Sequence, residues 1–440
     1  MNLTERDNKV IWHPFRQLKN APPLISVEKG KGVYLFDAKG NRYLDAFSSW
    51  WVNLHGHANA VIARKIYEQC QRLEQAAFSS CTHEPAVELA ERLLKNLPGF
   101  SRIFYSDNGS TSVEVALKMA MQYHHNKGKK VKRIIAFENG YHGDTFGAMS
   151  VAERNVFNLP FSPFLFRVKS IPAPVKGKEG KSLQMLKKLL NGEPAIFIYE
   201  PLVQGAGGMV MYEPAILNRM IGECKKNNCI TIADEVMTGF GRTGKFIASD
   251  YLKAKADIIC LSKGITGGFM PLGVTACKAN LYNAYISADK SKTFYHGHSY
   301  TANPLACAAA NASLSLLESK HTQERILAIS FFFERMKKQF QGHPALMDCR
   351  SLGTIMALEI RTKESTSYLN PLSEKTAAFF LRRGILVRPL GNVLYFIPPY
   401  CITEAELKHI AAVTKELLDE MVNGLKNKRT VKPPTTHRKK

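Results

Sequence analysis

Apolar and polar positions along the chain follow two rhythms. Between about residues 61 and 285, short apolar runs of strand length alternate with stretches of helical spacing. The strand-like runs are "RIFYS" (102–106), "RIIAFE" (133–138), "AIFIYEPL" (195–202), "CITIADE" (229–235) and "DIICLS" (257–262). Helical spacing marks "ELAERLLKNL" (88–97), "STSVEVALKMAMQYHH" (110–125) and a segment around 214–227. Strands separated by helices predict an α/β fold with a mainly parallel sheet. Upstream, Tyr34, Phe36 and Tyr43 alternate around Asp37-Ala38-Lys39-Gly40, a hairpin signal. Downstream, "NPLACAAANASLSLL" (303–317) reads as a buried helix. An α+β unit follows, with helices at 324–340, 373–383 and 404–423 and strands at 353–360 and 394–400. The pattern divides the chain into 1–60, 61–319, 320–424 and a tail at 425–440, with no internal repeat.

Composition narrows the class. With 440 residues and 45% hydrophobic content the chain can bury a substantial core in two or three domains. No apolar run reaches the roughly eighteen residues of a membrane span. The start, "MNLTERDNKVIWHPF", lacks a signal-peptide layout. The expectation is a soluble cytoplasmic protein. Nine scattered cysteines without a CxxC pair read as reduced core thiols. The pairs His55/His57 and His296/His298 read as loop histidines bonding locally, with no metal expected. The net charge of +23 owes part of its size to the tail, where seven Lys or Arg stand with no acid. That tail is expected to lack structure. A nucleic-acid partner would suit the charge. No aromatic RNA-binding motif, zinc finger or zipper accompanies it, and an anionic substrate explains a basic surface equally well.

Four strand ends carry unusual polar residues, and ligands of open α/β sheets sit at the carboxyl ends of strands. After 102–106 comes Asp107-Asn108-Gly109-Ser110 and a helix with a capping-box pattern, Thr111 to Glu114. Free N–H groups and the helix dipole there suit an anion, with Gly109 allowing close approach and Ser110 adding a hydroxyl. An ordinary capped helix would look the same. After 133–138, Tyr141 sits near glycines, where it could stack on a flat ligand or simply lie on the surface. The strand 229–235 ends in Asp234-Glu235, and a buried acid needs a partner. The strand 257–262 delivers Lys263 into a glycine-rich turn. Gly239–Lys245 nearly matches a Walker A loop, but Phe246 replaces the metal-binding hydroxyl, which excludes a nucleotide triphosphatase. Anion site, stacking tyrosine, acid and lysine together describe pyridoxal 5'-phosphate, held as a lysine Schiff base with an acid at its ring nitrogen.

The block D-E-x-x-x-G-F-G-R-x-G at 234–244, with Lys263 beyond it, resembles the class III aminotransferases of fold type I. The likeness covers the chain up to the tail. It implies a large cofactor-binding domain with a mostly parallel sheet, and a smaller α+β domain built from N- and C-terminal segments. A closer likeness is to the members that act on 8-amino-7-oxononanoate in biotin synthesis. It rests on "IWHPF" (11–15), "SSWWVNLHGH" (48–57), "GYHGDTFGAMSV" (140–151), "NPLACAAANASLSLL" (303–317) and "PPY" (398–400) after Arg388. The resemblance implies amino transfer from S-adenosylmethionine, through Lys263, in a homodimer with composite sites. By the same likeness Asp234 holds the ring nitrogen, Tyr141 and Val236 flank the ring, and Gly109 and Ser110 hold the phosphate. His298 and Ser299 would reach the partner's phosphate, with Gly297 near substrate. Trp51 would line the pocket, Arg388 would pair with the substrate carboxylate and Arg242 would lie close to the donor. Phe15 stands where some members have a substrate-contacting tyrosine, which keeps lysine open as donor. Another ω-amino acid transaminase is the remaining alternative.

Overall fold

The computed structural model describes residues 1–430. Its centre is a seven-stranded sheet of β1 (Arg102–Ser106), β2 (Arg133–Phe137), β3 (Lys169–Ile171), β4 (Ala195–Tyr199), β5 (Cys229–Asp234), β6 (Ile258–Leu261) and β7 (Gly273–Cys277). The strand order is β1-β7-β6-β5-β4-β2-β3. Only β7 runs against the others, pairing antiparallel with both β6 and β1. Strands β4, β5 and β6 are buried at every residue, as expected where helices cover both faces. The six parallel strands turn their carboxyl ends to one edge, and there the loops after β1, β2, β4, β5 and β6 gather.

The expected strands and helices of this region fall within a few residues of their observed bounds. Two strands of this sheet were not anticipated. β3 has three residues, too few to show a period. β7 emerges directly from "GGFMPLG", where the glycines and proline mask its apolar alternation. Its first residue must be small, because a Cβ on Gly273 would sit 2.3 Å from the Asn108 carbonyl oxygen.

The termini meet beside this sheet. Val27–Lys31, Tyr34–Asp37 and Arg42–Asp45 form an antiparallel meander, and Ile385–Leu386 adds to its edge in parallel. The expected turn at 37–40 is an Asp37 turn: its carboxylate accepts from the N–H groups of Lys39 and Asn41. Leu346–Leu352, Ile355–Ile360 and Val393–Phe396 make a second antiparallel sheet. The strand expected at 394–400 stops at Phe396, because Pro398 and Pro399 have no N–H to extend the ladder. The last helix, Glu404–Thr430, runs into the stretch from 425 that was expected to lack structure. The rest of that tail, 431–440, lies outside the described residues. No helix among the described residues is long and apolar enough to cross a membrane.

Candidate active site

At the end of β1, Asn108 caps the helix Gly109–Asn126. Its side chain accepts from Thr111 N–H at 3.0 Å, and the Thr111 hydroxyl accepts from Asn108 N–H at 3.1 Å. This pairing leaves the N–H groups of Gly109 and Ser110 without a partner among the described residues. Both open at the positive end of an eighteen-residue helix. A Cβ on Gly109 would meet Val236 at 2.7 Å, so the missing side chain lets Val236 close against the cradle. The Ser110 hydroxyl accepts from Asp144 N–H at 2.7 Å, which ties the cradle to the loop after β2.

Asp234 ends β5 and is 5% exposed. Its Oδ1 accepts from Val236 N–H at 3.1 Å, and its Oδ2 lies 2.6 Å from His142 Nδ1. Burial works against a charge on His142, yet the hydrogen bond and charge of Asp234 prevail and hold the imidazole above its usual range. The two form a close acid–imidazole pair inside the protein. Glu200, at the end of β4, accepts from Tyr141 N–H at 3.1 Å and from Gly205 N–H at 2.8 Å. Burial pushes its carboxyl up to about 7, against the pull of His142. Neither His142 nor Glu200 was foreseen. The signal for His142 was its place beside Tyr141; Glu200 was hidden as the polar end of an apolar run.

Lys263 follows β6 with φ 45°, a left-handed conformation that costs a residue with a side chain about 1 kcal/mol or more. Its Nζ makes no hydrogen bond or ion pair among the described residues and lies 4.9 Å from the Trp51 ring. Burial pushes its ammonium down, though Asp234 and Glu200 oppose this. An amine placed so is reactive when it loses its proton. The turn beyond it uses Gly267 and Gly268, both at positive φ.

An aromatic enclosure continues from this point. Tyr141 meets Phe157 edge to face at 6.0 Å, and Phe157 meets Phe15 at 5.8 Å and Tyr368 at 4.7 Å. Phe15 meets Trp50 at 5.2 Å, and the Arg388 guanidinium lies 4.0 Å from the Trp50 ring. Trp50, Phe157 and Tyr368 were not among the expected site residues. Trp51 points the other way and donates from Nε1 to the Tyr395 hydroxyl at 3.0 Å.

The two tryptophans diverge because Ser48, Ser49, Trp50 and Trp51 all have positive φ, between 45° and 75°. This left-handed turn is held by the Ser48 hydroxyl donating to Ile397 O at 2.6 Å and Ser49 donating to Asp45 at 2.8 Å.

Arg242 lies in the interior. It is 1% exposed, and it donates to the carbonyls of Pro398 at 2.8 Å and Asn53 at 3.1 Å, with the Tyr400 ring 5.1 Å away. Its two terminal nitrogens serve the backbone, so it fastens the 51–53 segment to 397–398, while its Nε has no partner among the described residues. Arg242→Leu would leave those buried carbonyls unsatisfied. We expect a loss of about 3 kcal/mol or more in urea unfolding of the holoenzyme, and a loss below about 1 kcal/mol would refute the fastening role.

The segment 296–299 is not brought to Lys263 within one chain. His296 Nδ1 lies 2.9 Å from Lys118 Nζ, and Ser299 O accepts from the Gln75 side chain at 2.6 Å. His298 Nε2 is buried without a partner among the described residues. Gly297 has open space around it, its nearest neighbour being the Thr301 hydroxyl.

The free N–H pair, the flat Gly109, the unpartnered Lys263 and the strand-end Asp234 fit pyridoxal 5'-phosphate, whose phosphate, aldehyde and ring nitrogen need those groups.

Comparison with known proteins agrees. The model of the family described as aminotransferase class-III matches residues 16–418. The adenosylmethionine-8-amino-7-oxononanoate aminotransferase of Synechococcus elongatus is 46% identical over 421 residues, covering 93% of this chain and 99% of that protein. The Helicobacter pylori protein of the same name is 39% identical, covering 96% of this chain and 99% of that protein. The crystal structure of the Methanocaldococcus jannaschii protein of that name superposes with a TM-score of 0.90 at 36% identity, covering 95% and 98% of the two chains. Matched over nearly its whole length by the family and by relatives this similar, the chain belongs to the class-III aminotransferases.

Proposed function

We propose that this protein transfers an amino group from S-adenosylmethionine to 8-amino-7-oxononanoate, giving 7,8-diaminononanoate for biotin synthesis, in two half-reactions at one site. The observation that carries the reading is a lysine with no polar partner among the described residues at the end of one strand and an acid–imidazole pair at the end of its neighbour, with an arginine set in an aromatic enclosure. Relatives bearing the name of this reaction support it. Pyridoxal 5'-phosphate is the cofactor; when bound it supplies an aldehyde and a ring that accepts electrons.

In this reading the N–H groups of Gly109 and Ser110 bind the phosphate. The Asp234 carboxylate holds the proton on the ring nitrogen, and His142 orients that carboxylate through the bond to its Oδ2. Lys263 Nζ takes the proton from the donor carbon and returns one to the acceptor carbon. Tyr141 and Val236 flank the ring and exclude water. Arg388 binds the acceptor carboxylate, and its fork suits both oxygens. Trp51 shields Lys263 Nζ. Residues 61–319 would carry the cofactor, with 1–60 packing on 320–424 as the smaller domain. A cytoplasmic homodimer is part of the proposal, with His298 and Ser299 completing the partner's phosphate site; the unpartnered His298 Nε2 supports this.

Phe15 lacks a hydroxyl, and this favours one second reading, lysine as donor. A single-turnover experiment separates the two. The loaded protein is expected to absorb at roughly 400–430 nm. S-adenosylmethionine should bleach that band and 8-amino-7-oxononanoate should restore it. Bleaching by lysine alone would change the donor; no band in loaded protein would end the transaminase reading.

A further inference from the structure

Among the described residues Arg388 has no acid within ion-pair distance. Among the described residues its one directional partner is the Tyr368 hydroxyl, to which it donates at 3.1 Å. The rings of Trp50 and Phe15 lie 4.0 Å and 5.8 Å from its guanidinium. Rings cover a guanidinium without fixing the direction of its N–H groups in the plane. A carboxylate in place of Tyr368 would fix that direction but would also neutralise the charge, and a substrate carboxylate would gain less. A neutral hydroxyl orients the fork and leaves the charge free.

Tyr368 is itself firmly placed. Its ring packs on Phe157 at 4.7 Å. Its segment is fastened to the turn after Arg388 by Asn392, 1% exposed, whose Nδ2 donates to Ile360 O at 2.9 Å and to the Thr366 hydroxyl at 3.1 Å. Gly391 lies so close to Ser367 that a Cβ there would overlap its carbonyl oxygen. The tyrosine and the arginine therefore ride on two loops locked as one body.

We propose that Tyr368 is a positioning residue that aims Arg388 at the carboxylate of the acceptor. The inference rests on the function proposed above and adds to it the residue that sets selection for an acidic acceptor.

The test is Tyr368→Phe in the full-length holoenzyme, which keeps the ring on Phe157. Acceptor kinetics are measured with 8-amino-7-oxononanoate and with its methyl ester. KM for the acid should rise about ten-fold with kcat within about two-fold, and the ester should be unaffected. In an Arg388→Lys background the same change should move KM for the acid less than about two-fold, because the fork is gone. Equal shifts for acid and ester, or a full additional loss in the Arg388→Lys background, would overturn the proposal. A second readout needs no turnover: binding of nonanoate should weaken about ten-fold in the variant while binding of nonanamide is unchanged. If the unsubstituted enzyme fails to aminate 8-amino-7-oxononanoate, the proposed function falls and the nonanoate comparison alone decides the role of Tyr368. Equal nonanoate binding by both proteins would reject it.

Discussion

Lys263→Ala should lower both half-reactions by at least about 10⁴-fold, the upper range for losing a positioned proton carrier. Lys263 Nζ has no polar partner among the described residues, it follows the strand beside the one that ends in Asp234, and a left-handed backbone holds it there. No neighbour can substitute: the Trp51 ring beside it carries no basic group, and His142 is engaged with Asp234. Stopped-flow absorbance with S-adenosylmethionine reads the first half-reaction directly. The variant should still bind the phosphate of the cofactor, since the Gly109 and Ser110 N–H groups are untouched. Retention of more than a tenth of the wild-type rate would remove Lys263 from the centre of the reaction.

Asp234→Asn should cost about 10²–10⁴-fold in kcat and much less in KM. Among the described residues the carboxylate is the only negative group bonded to His142, and the two sit 2.6 Å apart in the interior. An amide has the same shape and no charge. It cannot hold a proton on a ring nitrogen, and it leaves His142 buried without the charge that keeps it protonated. The imidazole should then fall below its usual range and become neutral. Rapid-mixing rates of the donor half-reaction check the first point, and the ¹⁵N shifts of the His142 ring check the second. A variant within about ten-fold of wild type would show that Asp234 positions its neighbours and little more.

Most of this site was legible because its groups stand at the ends of apolar strands. Asp234 and Lys263 follow runs that the interior demands, so their polarity there called for a reason. Gly109 and Ser110 were legible through a capping pattern at the helix start, although the box is Asn108 with Thr111 and not the expected Thr111 with Glu114, whose carboxylate accepts from the Gly147 and Ala148 N–H groups instead. The fastening contacts of Arg242 were not legible because its backbone partners come from positions 53 and 398, which no local pattern joins to a glycine-rich loop. Tyr368 was invisible for the same reason. It lies in "RTKESTSYLNP", a polar stretch without period, and it acquires meaning only when the chain returns to place Arg388 beside it. The small strand β3 and the glycine-led β7 show the other limit, that short or small-residue strands carry too little pattern to declare themselves.

The left-handed turn at Ser48–Trp51 has a consequence for how the enzyme comes into being. Four residues with side chains do not hold that shape on local preference, which opposes it at each step. Its supports are Asp45 nearby and Ile397, 349 positions away, with Tyr395 holding Trp51 from the same distant strand. Contacts of such separation are costly to close and form late in folding. The ribosome has therefore made nearly the whole polypeptide before the tryptophans can turn apart, one to Lys263 and the other to Arg388. A chain that ends before residue 395 lacks the distant supports of this turn and with them the placement of both rings. Competence is thus conferred by closure of the two chain ends on each other, and catalysis begins only in a finished molecule.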